Sequence, residues 1–288
     1  MKQRDFLLWL MLVPGLTIKG RYRIWQYLDK NKLANISLKL ILQLSRLNQE
    51  KQQYIYDWYQ QKVWQRQFQW LKQCPFITIC DDQYPKYLLF CIDAPICLFY
   101  QGDLKLLDQP LVAIVGARQA TDYGKKILHA WIPYLVKSGL TTVSGLALGI
   151  DELTHRTTLA AGGKTIGIIA TGLDCTYPQR DDLLQEKIAA NGLLLSEYLP
   201  WQGPKRKNFP ERNRIIAGLS HVCIVVEAKK RSGSLITAMI ALEQNRTVMA
   251  VPGRIDEQIS KGTNALILAG ATPILVPQQI VLEFKNFY

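Results

Sequence analysis

From residue 111 to residue 276 the chain repeats one alternation: a continuous apolar, β-branched run, then in most cases a span long enough for a helix. The runs are LVAIVGA at 111–117, TTVSG at 141–145, TIGIIAT at 165–171, LLLSE at 193–197, HVCIVVEA at 221–228, RTVMAVPG at 246–253 and a shorter TPILV at 272–276. Strands that are apolar on both faces must be covered on both faces, and parallel neighbours need a crossover. The pattern therefore predicts a parallel sheet with helices on each side. Short strands are expected near Phe76–Cys80 and Ile96–Tyr100. The expected fold class is α/β: an extended, Rossmann-like, doubly wound, mostly parallel sheet over 76–288, preceded by a small all-helical N-terminal domain over 1–75.

The first 75 residues differ in texture. They hold few glycines, Leu38, Ile41 and Leu42 at helical spacing, and a stretch from Gln49 to Trp70 rich in Gln, Trp and Tyr. The apolar run Phe6–Pro14 imitates a signal peptide but is too short to span a bilayer. No small-x-small cleavage site follows it and a basic stretch does, so it reads as a first buried helix. The formal charge of the whole chain is +12, of which +9 falls in residues 1–75. Such an excess points to an acidic partner, a nucleic acid or a membrane surface, and membrane insertion is not expected. The six cysteines form no CxxC pair, so reduced thiols in a cytoplasmic protein are expected, with no metal and no cofactor.

Three tempting motifs carry no chemistry. Gly163-Lys164-Thr165 resembles the end of a phosphate-binding loop, but Thr158 stands where a glycine is needed. The motif also leads into a strand rather than out of one. Ser144, Asp151 and His155 could supply hydrolase residues, yet GxSxG is absent, and a helix-start Asp with a structural His is the commoner arrangement. His129 and His221 are isolated. The strand LVAIV is followed by Gly116-Ala117-Arg118, which lacks the glycines of a dinucleotide fingerprint.

What that turn does offer is a long cation, Arg118, beside amides at a helix start, which suits a phosphate. The loops at Ser144-Gly145 and Ser232-Gly233-Ser234 also follow strands, and in a doubly wound sheet such loops gather at the carboxyl edge. The most distinctive segment is PKRKNFPERNRIIAGLS at 204–220, with Lys205, Arg206, Lys207, Arg212 and Arg214 around Phe209. Cations that track a backbone, with a ring that stacks on a base, are the requirement for single-strand binding. A ring packed in the core and a solvated charge run are the alternative. Asn213 is expected to organise the local turn.

These residues fall in blocks. They are Asp82-Gln83-Tyr84-Pro85; Ile114 to Arg118; Ser144 to Asp151 with His155; Gly172-Leu173-Asp174 with Tyr177-Pro178; Ser196-Glu197; Phe209 to Ser220; Glu227-Ala228 with Ser232 to Ala238; Ala250 to Gly253; and Gly262 to Ile267 with Gly270-Ala271. In this order they resemble the DNA-processing protein A family (DprA, or Smf). The resemblance implies a non-enzymatic protein that binds and protects single-stranded DNA and helps load the RecA recombinase in natural transformation, in the presence of single-strand-binding protein. By position it makes Gly116, Arg118, Arg180, the basic residues before Phe209 and Phe209 itself DNA contacts. It also implies a homodimer, for which Leu266, Ile267, Ile274 and Leu275 in the apolar C-terminal stretch are candidates, the alternative being that they fill the core beneath the last strand. Ala117 stands where the family often has Ser, and a C-terminal winged helix is not expected. The alternative reading is a nucleotide-processing enzyme of phosphoribohydrolase type, in which Glu227 would be the residue of interest.

Overall fold

The computed structural model describes residues 1–177 and 183–285. Five helices come first: α1 (Gln3–Leu12), α2 (Ile18–Asn31), α3 (Leu38–Ser45), α4 (Gln49–Gln61) and α5 (Trp64–Leu71). Three of these starts, those of α2, α3 and α4, have a side-chain cap. Thr17 accepts from the Gly20 amide at 3.1 Å, Ser37 from Leu40 at 3.4 Å and Asn48 from Lys51 at 3.1 Å, satisfying N–H groups that a first turn otherwise leaves open. Every residue of α1 from Phe6 to Leu12 is buried, as expected of the apolar run. Among the described residues no helix is long and apolar enough to cross a membrane.

An aromatic cluster draws α4 and α5 onto α1. The Trp9 ring lies 5.7 Å from Phe6, 6.1 Å from Tyr59 and 5.7 Å from Trp64, centroid to centroid. Arg4 then ties α1 to the sheet, donating to Asp81 and to the Phe76 carbonyl, both at 2.9 Å, with its guanidinium over the Phe76 ring. The helical segment and the sheet accordingly share one buried apolar cluster.

The remainder alternates as β1 (Phe76–Thr78), α6 (Lys86–Leu89), β2 (Cys97–Gly102), β3 (Leu111–Val115), α7 (Asp122–Lys137), β4 (Thr141–Ser144), α8 (Ile150–Ala160), β5 (Thr165–Ile168), α9 (Leu184–Asn191), β6 (Leu193–Ser196), α10 (Asn208–Leu219), β7 (Val222–Val225), α11 (Gly233–Glu243), β8 (Thr247–Ala250), α12 (Lys261–Leu268), β9 (Thr272–Pro273) and α13 (Gln278–Lys285). The sheet order is β1-β2-β6-β5-β4-β3-β7-β8-β9. Pairings from β6 through β9 are parallel, and β2 meets both β1 and β6 antiparallel. The order reverses at β3, with β4 on one flank and β7 on the other. That is the switch point at which loops leave a crevice at the carboxyl ends of the strands. Thr165 opens β5, so Gly163-Lys164 is a turn into a strand, as the sequence indicates. TPILV shortens to two residues of strand, the second of which, Pro273, has no N–H to offer a further strand beyond the edge.

The dimer candidates need correction. Leu266 and Ile274 are buried, in separate clusters, and Ile267 is half-buried against the first. Ile274 follows β9 with its amide bonded to Ala250 O at 3.0 Å and its side chain buried, while the next residue, Leu275, is 69% exposed.

Trp9 is 3% exposed and stands among four other rings. Trp9→Ala should lower the unfolding free energy by about 3–5 kcal/mol, read from urea midpoints. A loss of less than about 1 kcal/mol would mean that the cluster does not hold the helices together.

Candidate nucleic-acid interface

The loops after β3, β4 and β5 and the first turn of α10 enclose a cleft of about 110 Å³ whose wall includes Arg118, Leu146, Ala170, Tyr177, Phe209 and Arg212. The approach of α10 is fixed from below. Asn208, wholly buried, donates its amide to Ala170 O at 2.9 Å, and Tyr198 donates to Asn208 O at 3.0 Å. This anchoring sets Phe209 beside Tyr177, with ring centroids 5.4 Å apart and planes at 60°. Phe209 is half-buried and Tyr177 is 43% exposed, so the ring pair is reachable from solvent.

Arg118 stands exposed on the turn after β3, and Lys205, Arg206 and Lys207 are exposed immediately before α10. The three are not in the cleft wall but on its approach. Arg212 is different. It is 5% exposed, donates Nη1 to Ile168 O and Nε to Asn213 Oδ1, and faces the buried carboxyl of Asp151. Gly145 is required beneath it: a Cβ there would lie 2.5 Å from both Arg212 and Asp151. Burial pushes the Arg212 guanidinium down and Asp151 pulls it back up, while the positive charge of Arg118 works against it. Gly149, at φ +81°, closes the turn onto the Ala117 and Arg118 carbonyls, where a side chain could not fit.

Besides Arg212, three of the anticipated contacts turn inward: Arg214, Ser144 and Ser234. Arg214 is buried, with Nη2 to Glu197 at 2.6 Å, Nε to Asp93 O at 3.1 Å and Nη1 to Glu211 O at 3.3 Å, so it braces α10 from the side away from solvent. On a helix, residues two apart do not share a face, and Arg212 and Arg214 part company for that reason. Ser144 is buried and donates to Ile114 O at 2.6 Å, leaving no hydroxyl for a ligand. Gly116 and Gly145 remain at the carboxyl edge as backbone. Asn213 donates to Gly233 O at 3.3 Å and so joins α10 to the Ser232–Ser234 loop, where the two serine hydroxyls bond each other at 2.9 Å. That loop lies outside the cleft wall, and the exposed Lys229, Lys230 and Arg231 precede it. Arg180 lies outside the described residues.

Asp151 and His155 occupy α8 as structural residues. Neutral His155 gives Nε2–H to Gly145 O at 2.7 Å and takes the Thr165 hydroxyl on Nδ1 at 2.7 Å. Burial lowers its pKa to about 4, and burial raises that of Asp151 to about 6 despite Arg212. Glu227, 2% exposed, accepts from both the amide and the hydroxyl of Thr121 and so holds the start of α7. Among the described residues no group of three His, Cys, Asp or Glu could hold a metal ion. Two functional-looking residues escape sequence reasoning. Tyr177 becomes the partner of Phe209 only through the fold, and nothing but its place before Phe209 marks Asn208.

The profile of the DNA recombination-mediator protein A family matches residues 75–285. DNA processing protein DprA of Streptococcus pneumoniae is 47% identical over 211 residues, which cover 73% of this chain and 74% of that protein. Protein Smf of Escherichia coli K12 is 40% identical over 215 residues, 74% of this chain and 58% of that one. The crystal structure of the Streptococcus pneumoniae protein superposes with a TM-score of 0.89 at 38% identity, covering 98% of this chain and 99% of that one. DNA processing protein A of Helicobacter pylori, a structure described for its single-stranded DNA binding mode, gives 0.67 at 34% identity over 75% of this chain and 98% of that one.

Asp151 and His155 bias stability in opposite senses in mild acid. A carboxyl raised from 3.8 to about 6 holds its proton more tightly when folded, so its contribution falls as pH rises through that window. A histidine lowered from 6.5 to about 4 contributes more as pH rises. Relative to wild type, the urea midpoints of His155→Gln should fall, and those of Asp151→Asn should rise, from about pH 4 to about pH 6. Parallel profiles would remove both assignments.

Proposed function

The chain belongs to the DNA recombination-mediator protein A family, and we propose that it binds single-stranded DNA of any sequence in the cleft between Arg118 and Phe209. The observation that carries this reading is the solvent-reachable Phe209–Tyr177 pair set among exposed cations. A base offers a π-face whatever its identity, so stacking tolerates sequence, while Arg118 and Lys205–Lys207 neutralise phosphates on either side. The start of α10 turns the positive end of its dipole toward the same approach.

In this reading the protein works by binding and not by turnover. It protects incoming strands in the cytoplasm and passes them to the RecA recombinase where single-strand-binding protein is present. Glu227, the residue a phosphoribohydrolase would use, spends both oxygens on Thr121. The protein acts as a homodimer through apolar residues that remain open: Ile236, Met239 and Leu242 on α11, Leu268 at the end of α12, and Leu275 with Val276 after β9.

Gel shifts at two salt concentrations test the cleft. Affinity for single strands should exceed that for duplex and fall steeply with salt. Arg118→Ala should weaken all sequences alike and reduce the salt slope by about one. Phe209→Ala should cost about 1–3 kcal/mol of affinity with the melting temperature unchanged. Normal binding with a lowered melting temperature would make Phe209 a core residue and sink the stacking role. For the dimer, Leu268→Glu with Leu275→Glu should sediment as a monomer; an unchanged sedimentation coefficient would move the interface elsewhere.

A further inference from the structure

Two tryptophans meet where neither the helical core nor the cleft requires them. Trp70 on α5 and Trp201 in the link from β6 to α10 have ring centroids 5.5 Å apart at 56°, and they are 43% and 42% exposed. A lone exposed aromatic is ordinary, but two large rings that touch each other and both face water form a concentrated apolar surface. Leu71 and Phe68 already bury the inner side of α5.

Their position aligns them with the cleft. The link that carries Trp201 is bonded to the loop after β5, with Gly172 N to Gln202 O at 2.7 Å and Asp174 N to Pro200 O at 3.0 Å. That same loop runs on to Tyr177, the partner of Phe209. The Cα atoms of Trp201 and Phe209 are eight residues apart, so at most about 29 Å separates them. The surroundings carry three exposed cations and one exposed acid: Arg66 lies one turn before Trp70 on α5, four residues apart and on one face, Lys62 and Lys72 flank the helix, and Asp174 on the neighbouring loop adds its negative charge to the burial that raises the Cys74 thiol.

We propose that Trp70 and Trp201 form a second stacking platform for bases of the same single strand, carrying its path from the Phe209 cleft onto the helical segment. The proposal rests on the single-strand reading above. Rings beside cations are the arrangement that sequence-tolerant single-strand sites use, and such sites hold roughly 4–16 nucleotides. The strongly basic N-terminal segment supplies the matching charge. The connection between helices and sheet does not depend on the pair, because Arg4 and the packing of α1 provide it.

The test uses the full chain with oligothymidines of about 4 and about 16 nucleotides, read by fluorescence anisotropy alongside melting temperatures. Trp70→Ala and Trp201→Ala should each weaken the longer oligomer about 5- to 150-fold, the equivalent of ~1–3 kcal/mol for a stacked base, and leave the shorter one unchanged. Trp70→Phe, which keeps a ring, should recover most of that loss, and an abasic strand of the longer length should not register Trp70→Ala. Phe209→Ala should weaken both oligomers. Tryptophan variants that bind both oligomers as wild type does, while Phe209→Ala fails on both, would overturn the platform and leave the cleft standing. A lowered melting temperature with equal loss on both oligomers would make the pair a fastener and overturn the platform as well. If Phe209→Ala binds normally, the cleft reading itself falls.

Discussion

The guanidinium of Arg212 is the point on which the candidate interface depends. It is an ion held out of water at the ends of the central strands, kept charged by Asp151 and anchored to Ile168 O and Asn213. A buried pair of this kind gives little net stability, but losing either partner strands a charge and costs about 3–5 kcal/mol. Its effect is one of placement. Because Arg212 cannot move, the first turn of α10 cannot move, and Phe209 is held over the loop that bears Tyr177. Gly145 has no side chain because this contact leaves no room for one.

Charge acts here through location. The excess that dominates the whole-chain sum sits mostly in residues 1–75, while the α/β region is close to balance and still presents Arg118 and Lys205–Lys207 at one edge. The two basic regions meet near Trp201, where the link to α10 passes α5. Residues that look alike in a basic run divide by helix geometry: Lys205 to Lys207 precede α10 and stay solvated, whereas Arg212 and Arg214 lie within it and are drawn into buried pairs with Asp151 and Glu197.

The strands were legible because each needs apolar side chains on both faces, and all seven expected runs from 111 to 276 contain one. The helical start was legible for a similar reason, since Phe6 to Leu12 can only be buried. Side-chain direction was not legible. Leu266 and Ile274 look like interface residues in a linear apolar stretch, yet the turn of α12 and the bond of the Ile274 amide to Ala250 O place them inward and leave Leu268 and Leu275 outside. Tyr177 and Phe209 are 32 positions apart, and only the parallel order of β5, β6 and the link to α10 brings the rings together. Ser144 reads as a ligand hydroxyl until the neighbouring strand presents Ile114 O to it.

The two ends of the sheet set how copies of this protein can meet one another. β1 is three buried residues, and β9 is two residues closed by Pro273. Open strand edges are templates for polymerisation, and a short or proline-blocked edge removes that template. Copies of this protein brought close together are therefore given no open strand edge on which to extend each other's sheets into a fibre.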